Sequence, residues 1–297
     1  MVIAPGVANL QYRTLNDIKY FELVAEQVQS EILPGLFINA WGYNGSSPGP
    51  TIQVYPGDTV NIRVYNRLPE ATSVHWHGLD VPNVMDGVPE IQPSPKIEPG
   101  RYFDYRFKIV NQPGTHMYHS HYNSPKQAMM GLSGAFIILN PHMENVQRDY
   151  FYMLHEFYLI GLEMGQVLPG VYDIDPYTDD FNFFTMNGRC FPFDFPMAVG
   201  YGEIARIRLG NIGMNSHPMH IHGHQFRVTA ADGNPIPVSS QLVKNTVLVA
   251  SGETWDVEFI SNNPGRWAFH CHIPHHASNN MTPPMGGMSS VIEYAGY

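Results

Sequence analysis

The sequence predicts an all-β protein, and two observations lead to that prediction. The 297 residues include 25 prolines and 27 glycines, and only 14% are charged, which is typical of a chain with many turns. Short runs alternate between polar and apolar residues, and each run ends at a turn sequence. No apolar run approaches the roughly 18–20 residues that a membrane-spanning helix requires. The length allows one large domain or two medium ones, each with its own core.

Strand units of the same kind occur in both halves of the chain. Residues 51–55 and 59–64 alternate in polarity on either side of a Pro-Gly-Asp turn, which predicts two strands joined by a tight turn. Residues 202–209 show the same alternation. Asn66 follows the first unit, and Asn211 follows the second in the same way. The two halves therefore resemble each other in their local order.

Each half also contains two His-x-His sequences. They lie at 75–77 and 119–121 in the first half, and at 220–222 and 270–272 in the second. This repeated order predicts an internal duplication, with a boundary near Pro141 and domains at residues 1–142 and 143–297. The alternative is one continuous sandwich without a true repeat, which occurs at this length.

The four His-x-His pairs indicate metal binding. The chain has 15 histidines, and chance would give about one such pair in a chain of this length. In a strand, both histidines of a pair point to one face. Imidazoles without a carboxylate among them suit copper better than magnesium or calcium, and zinc stays open on ligand type. Eight histidines could hold three metals and leave positions for a small molecule.

A second metal site is predicted around Cys271. Two histidines, one cysteine and a distant methionine form the ligand set of a blue electron-transfer copper, and His217, Cys271, His276 and Met281 supply that set. In the strand His270-Cys271-His272, the thiol points to one face and the imidazoles to the other. The strand therefore joins two metal sites, which suits electron transfer. A disulfide between Cys190 and Cys271 is the alternative that cysteine counting leaves open.

These motifs resemble the multicopper oxidases, and most closely the two-domain laccases. The four signatures are HWHG at 75–78, YHSH at 118–121, HPMHIHGH at 217–224 and HCH-x3-H-x4-M at 270–281, and the resemblance spans roughly residues 45–281. It implies two cupredoxin-like Greek-key β-barrel domains and four copper ions per chain. By resemblance, the type 1 ligands are His217, Cys271, His276 and Met281; the type 2 ligands are His75 and His220; the type 3 ligands are His77, His119, His121, His222, His270 and His272. The chain departs from the family pattern at 282–288, which we interpret as an inserted loop.

Ser120 stands in the first half where Cys271 stands in the second, so only the second domain is expected to hold type 1 copper. The resemblance also implies a homotrimer whose trinuclear cluster lies between domain 1 of one subunit and domain 2 of the next. Asp86 matches the family's acidic residue near the cluster, where it would relay protons. Its other interpretation is a turn aspartate before glycine.

The resulting functional prediction is a laccase-like oxidase. It would take single electrons from a phenolic or aromatic donor and reduce dioxygen to water. The alternatives are an oxidase of cuprous, ferrous or manganous ions, a copper nitrite reductase, and a copper protein without catalysis. The first alternative draws on a group of methionines, namely Met129, Met130, Met281, Met285 and Met288.

Charge and termini bear on partners and location. A net charge of −10 argues against a nucleic-acid partner, and no membrane partner is expected. The first residues lack the basic and apolar regions of a signal peptide. We expect a secreted or periplasmic protein whose signal peptide has been removed, with a cytoplasmic location as the alternative.

Overall fold

The computed structural model describes residues 1–142 and 145–296. These residues form 22 strands, one four-residue α-helix at Ser124–Gln127 and two 3-10 turns at Asn83–Met85 and Val238–Ser240. The all-β prediction is therefore confirmed. The strands of the first half are β1 Tyr12–Leu15, β2 Ile18–Leu33, β3 Leu36–Tyr43, β4 Gly49–Val54, β5 Thr59–Asn66, β6 His75–His77, β7 Tyr102–Lys108, β8 Gly114–His119 and β9 Ser133–Ile138.

The second half contributes the remaining strands. They are β10 Arg148–Phe157, β11 Gly170–Asp173, β12 Phe183–Met186, β13 Met197–Val199, β14 Ile204–Asn211, β15 His217–Ile221, β16 Phe226–Ala231, β17 Asn234–Pro235, β18 Val243–Lys244, β19 Thr246–Val249, β20 Thr254–Ile260, β21 Arg266–Cys271 and β22 Ser289–Tyr294. The predicted strands at 51–55, 59–64 and 202–209 correspond to β4, β5 and β14, within two residues at each end.

Each half is built from two sheets. In the first half, one sheet has the order β11-β3-β2-β5-β7, with β1 added to β2, and the other has the order β4-β9-β8-β6. In the second half the orders are β12-β10-β14-β20-β16-β17, with β18 added to β16, and β13-β22-β21-β15-β19. Sequence neighbours are often not sheet neighbours, and parallel pairs such as β2 with β5 and β10 with β14 require crossovers between the sheets.

Alternation along the short strands separates core residues from histidines. In β6, Trp76 is fully buried and its ring meets Tyr105 and Phe136 edge to face, while His75 and His77 point the other way. In β21, Phe269 and Cys271 are buried in the second core, and His270 lies on the opposite face. Because one face of each strand is buried in the core, the histidines of that strand all point to the opposite face.

Two asparagines show that the duplication extends to hydrogen bonds. Asn66 Oδ1 accepts from the Leu68 N–H at 2.8 Å, and its Nδ2 donates to the carbonyls of Glu70 and Ile97 at 2.8 and 2.7 Å. Asn211 repeats this pattern. Its Oδ1 accepts from the Gly213 N–H at 2.9 Å, and its Nδ2 donates to the carbonyls of Asn215 and Val249 at 2.7 and 3.1 Å. Both side chains are buried, so each one fixes the loop that follows its strand.

The two halves meet through a buried polar network. Thr115 of β8 donates its hydroxyl to Asp256 of β20 at 2.7 Å and accepts from Arg208 of β14 at 2.8 Å. Arg208 also reaches Asp149 and Asp256. Elements of the second half, including β11, also pack on the first core. The domain boundary at 142/143 stays a prediction, and Met143 lies outside the described residues.

Within residues 1–142 and 145–296, no helix has the length and apolar character needed to cross a bilayer.

Candidate metal centres

A buried triad of possible ligands lies between β15 and β21. His217 begins β15, Cys271 ends β21, and His276 follows in the next turn. The Cys271 Sγ lies 3.8 Å from His217 Nδ1 and 3.5 Å from His276 Nδ1, and the two nitrogens are 3.1 Å apart. All three side chains are buried. We call these three residues the buried triad, and their donor atoms converge as the ligands of one metal ion must.

Burial keeps two members of the triad, Cys271 and His276, uncharged when no metal is bound. Burial raises the pKa of Cys271 to about 12 and lowers the pKa of His276 to about 4. At neutral pH the site therefore contains a thiol and a neutral imidazole. A metal ion that binds there must displace the thiol proton, while the imidazole is already in its ligating form.

Met281, the predicted fourth ligand, is exposed, whereas the three residues of the triad are buried. Met281 is 48% exposed, and its Sδ contacts the Ser278 hydroxyl at 3.9 Å. Met288 is instead fully buried in the same core cluster as Cys271. Its carbonyl accepts from the Cys271 N–H and its N–H donates to the His276 carbonyl, both at 2.9 Å. The segment 282–288, interpreted from sequence as an insertion, therefore brings the backbone of a second, buried methionine next to the triad.

The equivalent place in the first half is filled by a network without a metal-binding set. Thr72 and Ser120 stand where His217 and Cys271 stand in the repeat. Both hydroxyls donate to Gln127 Oε1, at 2.7 and 2.5 Å. The Gln127 Nε2 donates in turn to Glu70 and to the Ala71 carbonyl, at 2.9 and 2.8 Å. Hydroxyls and an amide are weak copper ligands beside a thiolate, as the presence of Ser120 predicts.

Four histidines of the first half form what we call the first quartet: His75, His77, His119 and His121. Their rings make contacts with centroids 5.3–6.1 Å apart, and His77 Nδ1 lies 3.2 Å from His119 Nε2. Burial lowers the pKa of His119 to about 3, so this imidazole stays neutral. Among the described residues, His121 Nδ1 is buried without a hydrogen-bond partner. Such an atom is unfavourable unless a metal or another group binds it.

Four histidines of the second half form the second quartet: His220, His222, His270 and His272. Their ring centroids lie 4.9–5.9 Å apart, and His222 Nε2 is 3.0 Å from His270 Nε2. Burial lowers the pKa values of His222 and His270. A surface cleft of about 690 Å³ borders the quartet and is lined by His220, His222 and Asn245 among others.

Backbone carbonyls fix the orientation of several of these imidazoles. His75, His119, His220 and His270 each direct Nδ1 to a carbonyl at 2.8–2.9 Å, and the acceptors are Asp86, Ser120, Asn245 and Cys271. When Nδ1 carries the proton, Nε2 is free to bind a metal. The sequence could not identify these acceptors, because every residue has a carbonyl.

Asp86 is held beside the first quartet. Its Oδ1 lies 3.3 Å from His75 Nδ1, and its Oδ2 accepts from Gln92 Nε2 at 2.6 Å. The carboxylate is largely buried, and the structure thus brings the predicted acidic residue next to a predicted ligand. Gln92 was not singled out by the sequence, since a lone glutamine in a loop carries no motif.

Among the described residues, no ring contact joins the two quartets of one chain. In the part of the chain that the structure describes, each ring contact between two of these eight histidines joins two members of the same quartet. Cys190 and Cys271 are both free, which removes the disulfide alternative.

Together, the two sheets in each half and the two kinds of ligand cluster define a copper protein of the cupredoxin-like fold. Sequence profiles described as "Multicopper oxidase" match residues 25–143 and 164–285. The chain belongs to the multicopper oxidase family. The match to solved members confirms the predicted fold class of two cupredoxin-like domains.

Two solved structures are similar over most of the chain. The multicopper oxidase mgLAC is 32% identical with a TM-score of 0.81, covering 94% of this chain and 86% of that one. The blue copper oxidase from Nitrosomonas europaea is 30% identical with a TM-score of 0.80, covering 93% and 85%. A relative from Staphylococcus aureus named multicopper oxidase mco is 36% identical over 46% of this chain, and that match spans only 30% of the relative's length.

A copper nitrite reductase from Nitrosomonas europaea shares the fold, with 22% identity, a TM-score of 0.74 and coverage of 94% of each chain.

Proposed function

We propose that this protein is a laccase-type oxidase that couples oxidation of phenolic or aromatic donors to reduction of dioxygen to water. The observation that carries the proposal is the strand β21. It directs Cys271 into the buried triad, and it directs His270 towards the second quartet on the other face. One strand thus joins a thiolate site to a histidine cluster, which a structural metal site would not need.

The residues present fit the copper ions that the family implies. The triad offers two Nδ1 atoms and one Sγ that converge in a buried site, and His121 Nδ1 in the first quartet is an unpaired buried atom among the described residues. Type 1 copper would be held by His217, Cys271 and His276, type 2 copper by His75 and His220, and the type 3 pair by His77, His119, His121, His222, His270 and His272. When bound, the copper ions would accept electrons singly from the donor and deliver four to dioxygen.

Groups of the protein link the two kinds of metal site and bring a carboxylate to the first quartet. Besides the peptide bonds, a hydrogen bond of 2.8 Å from His270 Nδ1 to the Cys271 carbonyl links the triad to the second quartet. Asp86 is the proton-holding group of this proposal, because Gln92 and His75 fix its carboxylate at the first quartet.

In this proposal Met288, in place of Met281, would supply the thioether ligand of the type 1 copper. Met288 is buried with Cys271, and its backbone is hydrogen-bonded to both Cys271 and His276. A thioether ligand of this site would have to reach the buried triad, and the half-exposed Met281, which contacts Ser278, is poorly placed to do so.

The proposed assembly is a homotrimer in which the first quartet of one subunit meets the second quartet of the next. The lack of a ring contact between the quartets among the described residues supports this arrangement, since a trinuclear site needs ligands from both. Light scattering should give three times the mass of the 33.5 kDa chain. A monomer with full oxidase activity would refute it.

Specific residues argue against the nitrite reductase and metal-ion oxidase alternatives. A nitrite reductase needs only a three-histidine catalytic site, which leaves most of the two quartets without a role. Of the five methionines that suggested a cuprous or ferrous donor, Met129, Met130 and Met288 are buried, so only Met281 and Met285 remain exposed. A side-by-side assay of a methoxyphenol, ferrous ion and cuprous ion under air decides the donor class. Faster oxidation of the metal ions would overturn the phenolic assignment.

The central test is the copper content with the optical spectrum. We expect four copper ions per chain and a blue thiolate-to-copper absorption band, whereas one or two ions would contradict the oxidase. Cys271→Ser should lose the blue band and donor oxidation and retain the cluster copper. The matched control is Cys190→Ser, because Cys190 is also buried and free but lies outside the triad.

A further inference from the structure

Glu156 is a carboxylate with no solvent exposure, and it lies directly behind the buried triad. It belongs to β10, and its Oε2 accepts from His217 Nε2 at 3.1 Å. Its Oε1 accepts from the backbone N–H groups of Met214 and Asn215, the latter at 2.8 Å. A buried charge is unfavourable unless it is paired and hydrogen-bonded, so three donors on one carboxylate indicate a specific site.

The loop before His217 is shaped around this carboxylate. A Cβ on Gly213 would lie 2.0 Å from Glu156 Oε2, so only glycine leaves room for the side chain. Asn211 holds the same loop, because its Oδ1 accepts from the Gly213 N–H. Gly213 and Asn211 therefore hold the loop whose N–H groups surround the carboxylate.

The internal duplication shows that the carboxylate accompanies the triad. Leu154 pairs with Asn211 in the second half as Ala25 pairs with Asn66 in the first. Two residues further along, Glu156 corresponds to Gln27, which is exposed. The half without a cysteine thus has no buried carboxylate at this position.

We propose that Glu156 is a positioning residue that holds His217 with the proton on Nε2 and lowers the reduction potential of the type 1 copper. This inference rests on the proposed function.

Two physical effects support it. First, a carboxylate can only accept, so His217 donates from Nε2 to Glu156, which leaves Nδ1 as the ring nitrogen that faces Cys271 and His276. Second, an oxidised copper site carries one more positive charge than a reduced site, and a nearby buried negative charge stabilises the oxidised state. Three N–H donors, from Met214, Asn215 and His217, satisfy the Glu156 carboxylate as an anion.

The test compares reduction potentials of copper-loaded variants by redox titration of the blue band. Glu156→Gln removes the charge at nearly constant shape. It should raise the equilibrium constant for reduction of the blue site about tenfold, which raises the reduction potential by about 59 mV for one electron. Glu156→Asp keeps the charge and should stay close to the unmodified protein. Glu203→Gln is the matched control, because it makes the same change of net charge at a partly exposed carboxylate paired with Arg148.

A second measurement needs no copper. Nitrogen NMR of the histidines in the metal-free protein should show His217 protonated on Nε2, and Glu156→Gln should change that tautomer. If Glu156→Gln does not fold, Gly213→Ala still tests the proposal, because its Cβ displaces the carboxylate from His217 and should raise the potential.

The outcomes separate this inference from the proposed function. If the unmodified protein binds copper without a blue band, the proposed function fails. If the protein is blue but Glu156→Gln, or Gly213→Ala in its place, leaves the potential unchanged, the role of Glu156 is refuted. An equal shift in Glu156→Asp and Glu156→Gln would also refute it, since packing and not charge would then set the potential.

Discussion

Chains with damage in different quartets should restore each other's activity when they assemble together. His119→Ala removes a ligand of the first quartet, and His222→Ala removes one of the second. In the proposed trimer, a complete cluster takes the first quartet of one subunit and the second quartet of its neighbour. Each variant alone should have almost no oxidase activity, since every cluster would lack a ligand.

The size of the recovery follows from this arrangement. In a mixed ring, a cluster is intact when its first quartet comes from a His222→Ala chain and its second quartet from a His119→Ala chain. With equal amounts of both chains, each condition holds for half of the positions, so about one quarter of the clusters are intact. This fraction does not depend on the number of subunits in the ring.

The assay is oxygen consumption by the two variants co-expressed in equal amounts, normalised to the blue band. The blue band is a suitable reference because neither substitution touches the buried triad. The matched control is His119→Ala co-expressed with His121→Ala, which damages the same quartet twice and should restore nothing. Activity no higher than that of the control would refute a cluster shared between subunits.

Other predictions follow from individual contacts. Gln127→Ala should lower the free energy of unfolding by about 2–4 kcal/mol in denaturant titrations, because two buried hydroxyls lose their acceptor. Between about pH 6 and 10, cobalt affinity at the triad should rise about tenfold per pH unit, because the raised pKa of Cys271, about 12, makes the ion displace one proton; a flat pH profile would contradict this. Met288→Leu should shift the potential of the blue site, whereas Met281→Leu should leave it unchanged; the reverse result would favour Met281. Asp86→Asn should slow dioxygen reduction and spare reduction of the blue site by the donor, and equal slowing of both in stopped-flow traces would speak against a proton role.

The strands and the histidine clusters followed from sequence because they depend on local geometry. Alternation of side chains along a strand places His75 and His77 on one face and Trp76 on the other, whatever the rest of the fold does. The presence of Ser120 at the position that Cys271 occupies in the second half likewise predicted that the first half lacks a thiolate site. The replacement network with Thr72 and Gln127 could be found only after residues 72, 120 and 127 were brought together.

The sequence alone determined the fold class, the duplication and the residue types that could bind metal, because strand periodicity and motif spacing act over a few residues. The tertiary structure decided which distant groups complete each site. Glu156 comes from β10, 61 residues before His217, and Met288 reaches Cys271 through the return of segment 282–288. Such contacts depend on how sheets and loops pack across the core, and a long-range packing contact has no period or spacing in the sequence from which it could be predicted.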